Sequence, residues 1–213
     1  MKTDDLADLL AAQVAPAPRR AASRRLGLAL ALGLPAAAAI MLVDYGVRRD
    51  LVQAMLWPMF WVKLLFPACI GIAGYVMVQR LAHPGVRVRR AWLGAVLPVL
   101  AVWVLAAVGW WRMPDEARMP ALMGQTWRTC VWSIGLMALP VFVAVLAALR
   151  TLAPTRPAAA GAAAGALAGG AGAAVYALHC PELTAPFLAV WYVLGIALPV
   201  AAGALIGPRL LRW

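Results

Sequence analysis

Long apolar stretches alternate with short polar clusters along this chain. Six hydrophobic runs fall at 26–43, 57–79, 91–111, 131–149, 158–178 and 186–206. Each is close to the roughly 20 helical residues that cross a bilayer core of about 30 Å. The pattern predicts an all-α, polytopic membrane protein with six transmembrane helices. The fifth run is mostly Ala and Gly, so its hydropathy is marginal and it is expected to insert with neighbours. Gly161, Gly165 and Gly169 recur every four residues, which places them on one helical face. Such a face lets another helix approach closely, and a packing surface is the expected role.

The polar clusters orient the runs. With the N-terminus in the cytoplasm, thirteen of the 19 Lys and Arg residues fall in inner segments. Outer segments hold Arg48, Arg49, Arg112, Arg118 and Arg128, and Lys63 lies inside the second run. This positive-inside bias predicts that both termini are cytoplasmic. Asp44, Asp50, Asp115, Glu116 and Glu182 then lie outside, with Trp110, Trp111, Trp127 and Trp132 as an outer aromatic belt. The stretch SRRLGLALALGL looks like a twin-arginine signal, but five more runs follow and no polar domain remains to export. The first run is therefore expected to be retained. Two parts result: 1–25, a cytoplasmic head and basic tether, and 26–213, the six-helix domain.

Composition agrees. The 213 residues are 65% hydrophobic and 13% charged, whereas soluble domains are about half apolar and about a quarter charged. The net charge of +11 would suit nucleic acid, but the basic residues sit in topological clusters, so no direct nucleic-acid binding is expected and membrane lipids are. No phosphate loop, GxGxxG, HExxH or CxxC occurs, so nothing points to a cofactor or to catalysis.

Of the three thiols, Cys130 opens the fourth run and Cys180 lies in the turn between runs five and six. Both face the oxidising side, where disulfides persist. Cys69, inside the second run, reads as a small buried hydrophobe. A static disulfide or inert residues would account for Cys130 and Cys180; so would a redox or metal sensor. Either way the two should be near each other. Arg128 stands two residues from Cys130, and His179 adjoins Cys180; positive neighbours raise thiolate reactivity. Cys130, Cys180 and His179 are also soft metal ligands. Met113, Met119 and Met123 precede Cys130 and read best as apolar anchors of an interfacial loop. Lys63 inside a run is costly, so it should snorkel to the outer surface or find a partner, with Asp44, Asp50 and Glu182 as possible counterions; the alternative role is to couple the outer face to the spans. His83, before Pro84 and Gly85, reads as a turn residue.

The head begins MKTDDLADLLAAQVAPAP. Thr3 can cap a helix, Asp4 and Asp5 suit its positive end, and Leu6, Leu10 and Val14 share a face. Asp8 adds acidity, and the Ala-Pro repeat ends the helix. A helix of about twelve residues is marginal alone and is stabilised by a partner's groove. Its acidity suits a basic protein.

The opening MKTDDLADLLA, the six runs, Cys130 and Cys180 near outer ends, and the closing PFLAVWYVLGIALPVAAGALIGPRLLRW together resemble the NrsF-type membrane anti-sigma factors. The resemblance covers essentially the whole chain. It implies a protein of the bacterial inner membrane that holds an extracytoplasmic-function sigma factor inactive. It implies release when oxidants or thiol-reactive metals act on Cys130 and Cys180; Arg128, His179 and Glu182, their neighbours, are the candidates for support on local chemistry. Carried onto this chain, it places sigma contact at Asp4, Asp5, Leu6, Asp8 and Leu9. Two other readings stay open: a membrane thiol oxidoreductase passing electrons to quinone, and a small multi-pass transporter. The oligomeric state is not legible.

Overall fold

The computed structural model describes residues 21–83, 86 and 88–212, so the head segment that carries Asp4 to Leu9 lies outside the described residues. Six helices are long and apolar enough to cross a membrane. They are α1 (Ala21–Tyr45, its last turn Met41–Tyr45 a π-helix), α2 (Pro58–Leu81), α3 (Leu93–Arg112), α4 (Trp127–Arg150), α5 (Pro157–Tyr176) and α6 (Ala185–Leu210). A second π-helical segment, Leu188–Tyr192, lies near the start of α6. Two short helices, Leu51–Ala54 and Asp115–Met123, precede α2 and α4.

The helices run alternately up and down, as short connections require. At one end the Arg25 guanidinium of α1 donates to both the carbonyl and the hydroxyl of Thr151, just past α4, at 2.7 Å each. At the other, the Ser133 hydroxyl of α4 donates to Tyr45 of α1 at 3.1 Å, and the Arg48 amide donates to the Leu178 carbonyl. The first is called the arginine end and the second the cysteine end. All five acids among the described residues, from Asp44 to Glu182, sit at the cysteine end.

Charged residues extend the helices beyond their apolar runs. Helix α1 begins five residues before the hydropathy boundary because Arg24 and Arg25 stay helical and exposed. Helix α4 begins four residues early, so Cys130 sits inside its first turn.

Helix α5 is the hub: it is the most buried of the six and packs against α6, α2 and α4. The glycine face predicted from Gly161, Gly165 and Gly169 meets α6. A Cβ on Gly161 would run into the backbone of Gly203, and one on Gly165 into that of Pro199. The run also carries a second small face, where Gly170 abuts Gly71 of α2 and Gly172 abuts Ala138 of α4. With little side-chain volume, α5 gains its contacts from backbone approach, which is how apolar helices associate when lipid is as apolar as leucine.

Helix α3 is the least buried and leaves an apolar cleft of about 640 Å³ against α5 and α6, floored by Ala163 and Ile196 and walled by Trp92, Val96 and Trp103. Five of the six helices contain an internal proline: Pro35, Pro67, Pro98, Pro140 and Pro199. Pro67 offers no N–H to the carbonyl of Lys63 one turn earlier.

Cys69 departs from its expected place. It is exposed on the outside of α2, where Ile72 and Leu97 are its companions along a shallow groove, not buried in the core. A helix apolar all round gives hydropathy no means of telling its outer face from its inner one.

Candidate functional site

The cysteine end is organised around an amine. Lys63 projects from the first turns of α2 and is fully buried. Its Nζ donates to the Cys180 carbonyl and, at 2.9 Å, to the Glu182 carbonyl, and it lies 5.6 Å from the Tyr192 ring centroid. Lys63 thus finds a partner and does not snorkel, but the partners are carbonyls and not the side-chain carboxylates that were candidates. The loop after α5 wraps its backbone carbonyls around the ammonium, satisfying a buried charge by dipoles where no acid is in reach.

The Cys180 carbonyl takes a second cation. Arg48 Nη1 reaches it at 3.3 Å, while Nε and Nη2 grip the Asp50 carboxylate at 2.8 and 2.7 Å. The bond with Arg48 holds the Asp50 carboxyl below its ordinary range and raises the Arg48 guanidinium further. A depressed carboxylate stabilises the fold above its unfolded pKa, so this pair is intact at neutral pH and weakens only as pH falls below about 4.

Cys130 and Cys180 are both fully buried and both free thiols. They belong to one apolar cluster with Tyr176, Phe187 and Tyr192. Thr126 touches both: its carbonyl accepts the Cys130 amide at 2.9 Å, and its hydroxyl lies 3.9 Å from the Cys180 sulfur. The loop between α5 and α6 is also stitched to the segment before α4. Glu182 Oε1 accepts the Gln125 amide at 2.6 Å, the Thr184 hydroxyl donates to the Ala121 carbonyl at 2.6 Å, and the Trp191 indole donates to the Leu122 carbonyl at 2.9 Å. Gly124 makes this possible: its φ of +55° favours glycine, and a Cβ there would strike the Glu182 carboxylate.

The supporting residues divide. Glu182 joins the assembly through its carboxylate and its carbonyl. His179 is engaged elsewhere: Nδ1 donates to the Gly46 carbonyl at 2.9 Å, and the ring packs against Tyr45 and Tyr176, 5.2 and 5.8 Å away. Arg128 is exposed, its guanidinium 5.1 Å from the Trp127 ring centroid, so the neighbouring charge expected for Cys130 is spent on an aromatic face. Among the described residues no three His, Cys, Asp or Glu side chains converge into a metal site. Met119 is exposed on the short helix before α4, and His83 bonds its own helix end at Gln79, as a turn residue should.

Sequence reasoning did not single out Arg48, Thr126, Tyr45 or Tyr192. The Tyr192 hydroxyl is buried and has no hydrogen-bond partner among the described residues. An orphaned buried hydroxyl costs about 1 kcal/mol or more. Tyr192→Phe is therefore expected to raise the unfolding midpoint in detergent by about 3 °C. A fall would show that the hydroxyl has a partner.

The chain is similar to known proteins over nearly its whole length. A family model described as NrsF, negative regulator of sigma F, matches residues 10–213. The probable anti-sigma-F factor NrsF of Azospira oryzae is 44% identical over 215 residues, covering all of both chains. The anti-sigma-F factor NrsF of Caulobacter vibrioides is 43% identical over 214 residues, again over the full length of both. No solved structure matches the chain.

Proposed function

Because the chain belongs to the NrsF family of negative regulators of sigma F, we propose that it is an anti-sigma factor embedded in the bacterial inner membrane, with its arginine end and both termini in the cytoplasm. The sigma factor it holds is of the extracytoplasmic-function group. The acidic, leucine-striped segment with Asp4, Asp5, Leu6, Asp8 and Leu9 grips that partner, and the cysteine end receives the signal. One observation carries the signalling half of this reading: Cys130 and Cys180 share a buried cluster, and the carbonyl of Cys180 is held by Lys63 of a different helix.

The chemistry follows from those neighbours. An oxidant takes two electrons from the pair while both thiols release their protons, and a Cys130–Cys180 disulfide forms. A thiophilic metal would instead displace both protons and bind the two sulfurs. Both sulfurs are buried, so the loop between α5 and α6 has to open before either reagent arrives. That opening pulls on Lys63. Shifting a complex from mostly bound to mostly free needs about 5 kcal/mol, whereas a disulfide supplies about 2 to 4 kcal/mol. The remainder has to come from rearranged helix contacts.

Two experiments test the two halves separately. Deleting residues 1–12 is expected to abolish repression of a sigma-dependent promoter without lowering the amount of protein in the membrane; retained repression would place the grip elsewhere. Cys130→Ser and Cys180→Ser are each expected to keep repression but lose derepression by oxidant or cadmium. A normal response in both variants would remove the sensing role.

A further inference from the structure

Two cavities meet between α2 and α3 at the arginine end. One is a groove of about 470 Å³ running along the outside of the pair, lined by Cys69, Ile72 and Val76 of α2 and by Leu97 and Pro98 of α3. Its floor is tight: a Cβ on Gly94 would stand 3.0 Å from that of Ala73, so the two helices nearly touch beneath it. The other, about 530 Å³, is lined by Arg80, Arg89 and Arg90. Both are bordered by Val76, Arg90 and Ala91, which makes them one continuous space, apolar along the helices and cationic at its mouth.

The three arginines are not equivalent. Arg80 is half-buried and braces the connection by donating to the Val88 carbonyl at 2.7 Å. Arg89 and Arg90 are exposed and make neither an ion pair nor a side-chain hydrogen bond among the described residues. Arg89 also holds a left-handed backbone, with φ of +51°, a conformation that costs a non-glycine residue about 1 kcal/mol or more. No acid among the described residues lies at this end to neutralise them. A ligand that fits must carry a negative head for Arg89 and Arg90 and, directly joined to it, a hydrocarbon for the groove.

We propose that the space between α2 and α3 is a binding site for an anionic phospholipid, its phosphate against Arg89 and Arg90 and one acyl chain along Ile72, Val76 and Leu97. The apolar groove distinguishes this ligand from a free phosphate, which the arginines alone would hold. The site stands apart from the anti-sigma reading and needs no sigma factor.

The test uses purified full-length protein in nanodiscs of phosphatidylcholine doped with phosphatidylglycerol, with retained lipid read by native mass spectrometry. Wild type is expected to retain phosphatidylglycerol over phosphatidylcholine, and Arg89→Gln/Arg90→Gln to weaken that retention about 30-fold, since each of the two basic residues at a membrane surface adds about 1 kcal/mol of attraction. Both side chains are exposed, so this loss is not one of folding. Arg209→Gln/Arg212→Gln, at the same end, is expected to leave retention unchanged. Cys69→Trp, which fills the groove and leaves the arginines, is expected to weaken it. Equal retention of the two lipids by wild type, or equal loss in the Arg209/Arg212 variant, would overturn the site. Displacement of the lipid by an equal concentration of inorganic phosphate, with Cys69→Trp unaffected, would show that the arginines take a bare phosphate and would overturn it too.

Discussion

Lys63→Met is expected to lower the unfolding free energy by about 2 kcal/mol and the detergent unfolding midpoint by about 6 °C. Methionine matches the aliphatic stem and removes the burden of keeping an ammonium dry. It also strips both carbonyls of their donor. The half-buried Glu182 carbonyl then loses its donor, and the buried Cys180 carbonyl keeps only Arg48 at 3.3 Å. A buried carbonyl that loses its donor costs about 1 to 3 kcal/mol, and a half-buried one less, which together outweigh the relief of burying a neutral side chain. The same 2 kcal/mol, applied to the equilibrium between holding and releasing a sigma factor, is about a 30-fold shift. Constitutive transcription from the sigma-dependent promoter, at normal membrane levels of the variant, is the expected phenotype. A variant with wild-type stability and repression would show that the amine fills space and nothing more.

A still larger loss is expected on the small-residue face. In Gly161→Val the added atoms would enter the backbone of Gly203, and neither helix can retreat without surrendering the contacts of α5 with α2 and α4. Clashes with backbone, unlike clashes with a flexible side chain, have no rotamer escape. The cost is expected to exceed about 4 kcal/mol, in the range that only severe core lesions reach. The variant should fail to accumulate, as read by membrane fractionation and immunoblotting. Gly27→Ala is the control: no atom lies within 4 Å of its added Cβ, and alanine is the better helix former by about 1 kcal/mol. It should accumulate at least as well as wild type. Equal accumulation of Gly161→Val and Gly27→Ala would refute the close approach of α5 and α6.

The contrast between these two sites marks what the sequence carried. Six helices were legible because each apolar run has the length of a helix that can cross a bilayer, and the face of Gly161 and Gly165 was legible because a four-residue repeat is a local signal. The family resemblance was legible from the two ends of the chain. The partners of Lys63 were not. They lie 117 and 119 residues away and are backbone carbonyls, which every residue possesses, so no pattern of residue types announces them. Arg48 was passed over as a topological charge for the same reason. The support assigned to Arg128 rested on nearness along the chain, but on the first turn of a helix two residues of separation turn a side chain toward the other side, here onto Trp127.

The neighbourhood of Lys63 has a mechanical side as well. Its side chain is tied to the loop of Cys180, and its backbone carbonyl lacks the usual amide donor one turn on, where Pro67 stands. A pull on that side chain would therefore enter α2 beside the rung that Pro67 removes. From Pro67 to Leu81 the helix is a stiff rod about 21 Å long, and a swing of about 8° at that pivot carries the far tip about 3 Å. Arg80 rides on that tip, clasping Val88. On the proposed signalling reading, a sub-ångström tug beside a sulfur atom at one face would become a displacement the width of a side chain at the other.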